Sequence, residues 1–279
     1  MSGSSPTGLR QRVPTALVLL AFVCGVVFWL PPIATIALIF AAFLAGAWEW
    51  SAFLAPDRRG LRAAFVALVG LGIMVAWQAS EVHADFVLLL IAAGVWWLAS
   101  LLWIARGPGR LGAVFIAVAG LAALIPAAVA LGRLRLFEPQ GAWLLLFALA
   151  VIMAADVGAY FAGHRWGRLK LAPRISPGKT WEGVLGGLAL SALVAWGGAV
   201  LLDWPAFTVI PLALGAAAFS VVGDLVESLL KRHSGLKDSG QLLPGHGGVL
   251  DRIDSLTAGV PIFVLGLLQV GLLSARWPS

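Results

Sequence analysis

The chain has 279 residues, 61% hydrophobic and 11% charged, with a formal net charge of +6. A water-soluble domain carries roughly 25% charged residues, so this composition excludes a water-facing globule, and repeated apolar runs of about 20 residues point to membrane spans. The lone Cys24 excludes an intrachain disulfide and reads as a small buried hydrophobe.

Nine spans are predicted in chain order, at 14–30, 32–54, 62–79, 86–104, 111–131, 142–163, 183–202, 206–230 and 255–274. The fold class expected is an all-α polytopic integral membrane protein, one membrane domain over 1–279. Only Pro31 and Pro32 part the first two spans, so that boundary also fits a kinked pair or a re-entrant hairpin. The first span follows Arg10 and Arg12 without a small-residue cleavage site and reads as a retained helix. Trp96 and Trp97 read as interface or packing residues. With nine spans, sixteen of the nineteen basic residues fall on the face that carries the N-terminus, leaving Arg133, Arg135 and Arg276 on the other. Basic loops stay cytoplasmic, so the N-terminus and these loops are expected in the cytoplasm and the C-terminus outside, in a bacterial-type plasma (inner) membrane. Charge placed this way meets anionic lipid or substrate rather than nucleic acid.

The two longest polar stretches, 164–182 and 231–254, fall on the same face, because spans seven and eight return the chain to the side it left. Residues 1–140 are expected to be a scaffold and dimer region, and 141–279 the catalytic helices. In the first stretch, "DVGAYFAGHRWGRLKLAPRISPGKTWEG", Asp156 lies inside the sixth span and a run of basic residues follows. "SPGKT" resembles part of a phosphate-binding P-loop, but that motif needs Gly where Pro173 stands, and a preceding strand. What remains is a cationic loop whose Ser176, Lys179 and Thr180 suit an anion. Positive-inside charge alone explains Arg165 and Arg168, but not this turn chemistry. Glu182 suits a first helical turn.

In the second stretch, "VVGDLVESLLKRHSGLKDSGQLLPGHGGVLDRID", Asp224, Ser228 and Lys231 share one helical face, with Glu227 on a neighbouring one. An acid inside a span costs about 2.5–3.5 kcal/mol on insertion scales, which a cation held between carboxylates would offset. Lys237 and Asp238 lead into a Gly-rich turn whose backbone N–H groups can approach phosphate. Asp251 and Asp254, at i and i+3, can face one ion, with Arg252 and His246 beside them as substrate contacts. Asp251 alone would read as a helix-end partner. Asp224, Asp251 and Asp254 together read as a metal set, and oxygen ligands beside a phosphate-bearing substrate suit Mg²⁺. Without a Ser-His-Asp or Cys-His arrangement, the matching chemistry is transfer at phosphorus, and the setting between helices makes one substrate a lipid.

Residues 228–254 resemble the signature of the phosphatidate cytidylyltransferases, the CDP-diacylglycerol synthases: Ser228, Lys231-Arg232, Lys237-Asp238, Pro244-x-His246-Gly-Gly and Asp251-Arg252-x-Asp254. The stretch "DVGAYFAGHRWG…ISPGKTWEG" is similar to that family's other block. The resemblance implies transfer of a cytidylyl group from CTP to phosphatidic acid, giving CDP-diacylglycerol and pyrophosphate for phospholipid biosynthesis. It also implies Mg²⁺, a paired metal centre with room for a second, monovalent ion, and a homodimer. Carried over by position, Asp224, Asp251 and Asp254 belong to the metal region. Lys231, Arg232, Lys237 and Asp238 serve substrate phosphates or their orientation, and Ser176, Lys179 and Thr180 help hold nucleotide or lipid phosphate. Asp224, Lys231, Asp251 and Asp254 are thus the expected catalytic set, with Ser228, His246 and Arg252 among the substrate contacts. Two alternatives stand beside this reading: a CTP-dependent kinase of polyprenol or another lipid alcohol, and an ion-coupled transporter using Asp156, Asp224 and Glu227.

Overall fold

Proline sets the first corner. Pro31 is extended and Pro32 opens the next helix, so the N–H groups of Ala34 and Thr35 close onto the carbonyl of Pro31 at 3.0 and 3.2 Å. The structure, a computed structural model, describes residues 21–107, 111–236, 239–240 and 247–273. Residues 21–29 are helical (α1), and the chain continues through α2 (Pro32–Leu54), α3 (Arg59–Ala79), α4 (His83–Arg106), α5 (Ala113–Leu136) and α6 (Gly141–Trp166). Two strands follow, β1 (Lys170–Ala172) and β2 (Ser176–Thr180), then α7 (Trp181–Leu201), α8 (Ala206–His233) and α9 (Leu250–Gln269). Among the described residues, α2 to α8 are each long and apolar enough to cross a membrane. The chain is therefore an all-α polytopic membrane protein, and α1 and α2 are separate helices rather than one kinked rod.

Three differences from the span reading have physical causes. First, α5 runs five residues past its predicted end, to Leu136. Its last turn carries Arg133 and Arg135, both buried because other helices need donors there. Arg133 donates to Ser80 Oγ (2.7 Å) and to the Trp77 carbonyl (2.6 Å) while its guanidinium lies over the Trp77 ring. Arg135 reaches the Val27 and Leu30 carbonyls. Helix C-termini leave four carbonyls without intrahelical donors, and these arginines supply them. Second, the expected loop 164–182 contains the end of α6 and an antiparallel hairpin, with Lys170 opposite Thr180 and Ala172 opposite Ser176. Strands of three and five residues carry no hydropathy signal. Third, α9 begins at Leu250, five residues ahead of its predicted start, because acids accept its leading N–H groups.

The helices around the hairpin pack through missing side chains. A methyl group on Gly158 would lie 2.4 Å from the Gly186 carbonyl, and one on Gly187 2.5 Å from that of Ala155, so α6 and α7 touch backbone to backbone. Gly223 does the same for α8 against α9, where an added Cβ would meet the Asp254 carbonyl at 2.5 Å. That approach sets the acids of α8 against those of α9. Buried Trp97, Phe86 and Leu90 of α4 and Phe263 of α9 fill the interior behind them.

Candidate active site

The hairpin forms a basic rim at one end of the bundle. Ile175, between the strands, is buried and its carbonyl accepts Arg232 Nε at 3.2 Å, which ties the hairpin to the end of α8. Trp181 N donates to the Leu169 carbonyl, and Glu182 accepts the Leu169 N–H with both oxygens. Thr180 is buried and caps α7, its hydroxyl accepting the Gly183 N–H at 3.1 Å. That commits Thr180 to the helix end. Lys179, its neighbour, points the other way and meets Asp224 at 2.6 Å. The polar loops 164–182 and 231–254 therefore meet at one mouth.

Beneath the rim, carboxylate oxygens of Asp224, Glu227 and Asp254 all lie within 4.8 Å of one another. Glu227 and Asp254 are buried, and Asp224 is partly open. Ser228 donates to Asp224 Oδ1 at 3.3 Å. On the α6 side, Ser255 donates to Asp156 Oδ1 at 3.2 Å, so a fourth acid adds its charge to the group. Buried carboxylates this close repel strongly, and a protein interior weakens that repulsion far less than water does. Glu227 Oε1 is buried and accepts no hydrogen bond. An acceptor oxygen without a donor, beside two further carboxylates, fits a cation ligand, and the all-oxygen donor set suits a hard divalent ion.

Asp251 stands apart from the three that converge. Its oxygens take Lys231 Nζ (2.8 Å), Ser239 N (3.2 Å) and Gly248 N (2.9 Å). Lys231 bridges it to Glu227 Oε2 at 2.9 Å. The metal set expected from spacing was Asp224, Asp251 and Asp254, whereas the structure brings together Asp224, Glu227 and Asp254. An acid in the first turn of α9 is claimed by nearby N–H groups, while Asp254, one turn deeper, faces α8. Among the expected substrate contacts, Ser176 opens β2 half-buried at the rim, and Arg232 and Arg252 are exposed. Lys237, Asp238 and His246 lie outside the described residues.

Sequence spacing assigns Glu227 only to the transporter alternative and not to the metal set, although it is visible as an acid inside a span. The same signal marks Asp156. It also marks Glu49, which is buried in α2 and accepts the Leu250 N–H at 2.7 Å.

This arrangement has relatives. A model of the cytidylyltransferase family matches residues 10–269. A Pseudomonas aeruginosa protein named phosphatidate cytidylyltransferase is 42% identical over 270 residues, covering 94% of this chain and 98% of its own length. A Haemophilus influenzae protein of the same name is 38% identical over 281 residues, covering 91% and 97%. A Synechocystis protein, again so named, is 47% identical over 137 residues, covering 47% of this chain and 46% of its own. The match runs through every helix from α2 to α9, the hairpin and the acid cluster, and the chain belongs to the cytidylyltransferase family.

Proposed function

We propose that this protein is a phosphatidate cytidylyltransferase, making CDP-diacylglycerol and pyrophosphate from CTP and phosphatidic acid. The observation that carries the reading is the convergence of Asp224, Glu227 and Asp254 beneath a lysine-bearing hairpin, in a chain aligned nearly end to end with proteins of that name.

The chemistry is a single displacement. An anionic phosphate oxygen of phosphatidate attacks the α-phosphorus of CTP, the bond from that phosphorus to the bridging oxygen breaks, and pyrophosphate leaves with the electron pair. The nucleophile is already ionised, so positioning and charge neutralisation do most of the work. Asp224, Glu227 and Asp254 would hold Mg²⁺, which when bound supplies neutralisation of the charge growing on the α-phosphate and leaving group. Ser228 orients Asp224. Lys231 fixes Glu227 and Asp251 in one geometry. Lys179 and Ser176, on the hairpin, would meet phosphate oxygens, with Arg232 at its base. Arg252 is a substrate contact in this reading, and the family resemblance gives the same role to Lys237, Asp238 and His246. A second, monovalent ion completing a paired centre, and a homodimer, belong to the same reading through the family resemblance.

The orientation we propose puts the hairpin mouth in the cytoplasm, where CTP is, and the C-terminus outside. The bias of sixteen basic residues toward that face supports it. Diacyl tails then lie along the exposed apolar flanks of the helices, in contact with membrane lipids.

The test is purified protein in phosphatidate vesicles, given CTP labelled in the cytosine ring or at the γ-phosphate. Ring label is expected in the lipid, with pyrophosphate released, and EDTA should stop both until Mg²⁺ is restored. Lipid labelled only from the γ-phosphate would make the protein a lipid-alcohol kinase instead. Ion-coupled flux without either label would make it a transporter.

A further inference from the structure

We infer that Glu49 is a positioning residue for the transfer reaction, a role that rests on the cytidylyltransferase reading. Glu49 lies in α2, nearly 200 residues before the motif, and is only 2% exposed. A carboxylate so deeply buried costs several kcal/mol unless donors surround it. Its donors come from the motif segment and reach one oxygen, Oε2, while Oε1 is buried without a donor among the described residues. Oε2 accepts the Leu250 N–H at 2.7 Å and the Ser239 hydroxyl at 3.4 Å.

Two glycines close the contact. A Cβ on Gly240 would lie 2.2 Å from Glu49 Oε1, and all three atoms nearest to it belong to Glu49. A Cβ on Gly248 would lie 2.5 Å from Oε2. The Glu49 carboxylate fills the space a side chain would take at Gly240, and at Gly248 it shares that space with the Ser239 hydroxyl. Both the chain entering the Gly-rich turn (Ser239, Gly240) and the chain leaving it (Gly248, Leu250) are therefore held on one carboxylate from another helix. One turn below, Gly46 makes room for Ile253, where an added Cβ would sit 2.8 Å from its Cδ1. Glu49 and Gly46 thus fix the height and rotation of the first turn of α9. That turn decides whether Asp254 faces Asp224 and Glu227 while Asp251 faces Lys231. Glu49 does not join the carboxylate cluster itself and acts through α9.

The experiment measures steady-state transfer of ring-labelled cytidylyl groups by the full chain in phosphatidate vesicles. Glu49→Gln keeps the size and one acceptor oxygen but loses the charge. It is expected to lower kcat by about 10–100-fold, the usual cost of removing an orienting partner, with the KM for phosphatidate and the melting temperature unchanged. Gly240→Ala should lose activity to a similar degree, because its methyl group lands on Glu49. Glu49→Asp, shorter by one methylene, makes room for that methyl, so the Glu49→Asp/Gly240→Ala double variant should turn over faster than Gly240→Ala alone. Wild-type kcat in Glu49→Gln, a loss matched by a lower melting temperature, or no recovery in the double variant would each overturn the role of Glu49 while leaving the cytidylyltransferase reading intact. Absence of transfer by the wild-type chain would overturn both.

Discussion

The two ends of the helix bundle handle buried charge in opposite ways. At the end away from the hairpin, Arg133 and Arg135 direct their donors to carbonyls and a hydroxyl of neighbouring helices. At the hairpin end, Lys179 and Lys231 face five acids, Asp156, Asp224, Glu227, Asp251 and Asp254, and one carboxylate oxygen of Glu227 is buried without a donor. At the first end the arginines are answered mainly by backbone carbonyls and a hydroxyl, and Arg135 Nε is buried without an acceptor among the described residues. At the hairpin end acids outnumber the lysines that face them, and three of their carboxylates converge.

Substitutions at the two ends should therefore separate activity from stability. The largest effect is expected for Asp254→Asn. Removing one carboxylate of the cluster should cut cytidylyl transfer by about 10²–10³-fold or more, the scale seen when a preorganised charge-stabilising group is lost. Because it relieves repulsion between acids, the melting temperature in detergent should hold or rise. Asp251→Asn should be milder, lowering kcat by about 10–100-fold, since it loosens Lys231, Ser239 and Gly248 without removing a clustered carboxylate. Equal losses in the two variants would erase the distinction drawn between these aspartates. At the opposite end, Arg133→Met should destabilise by about 3 kcal/mol, two charged hydrogen bonds at about 1.5 kcal/mol each, read from thermal or denaturant unfolding. Turnover per folded molecule should stay within about twofold. The smallest effect belongs to Thr180→Ala, a lost helix cap worth about 1 kcal/mol. A large loss of CTP affinity in that variant would return Thr180 to the substrate site.

Hydropathy made the spans legible because a helix in lipid must be apolar for about 20 residues. It could not place α9's start, where polar residues are tolerated because Glu49 and Asp251 accept N–H groups. Nor could it show the hairpin, whose strands are held by backbone bonds and by Arg232. In the site, the acids were visible as expensive residues in apolar runs, but spacing could not choose among them. Asp251 and Asp254 are equally plausible on a helical wheel. What separates them is a three-dimensional fact, the donors of Ser239 and Gly248 around one and the acids of α8 around the other. Glu49 touches residues some 190 to 200 positions away, and no local pattern announces such a contact.

Order of synthesis gives the lysine pairs a further meaning. All four residues of the pairs Lys179–Asp224 and Lys231–Glu227 precede residue 250, so both pairs can form before α9 is made. The acids of α8 therefore have counter-charges while the translocon is still receiving the chain, and α8 can settle in lipid ahead of its last neighbour. Arrival of α9 then adds Asp254 and Asp251 to acids that already have lysine partners within their own part of the chain.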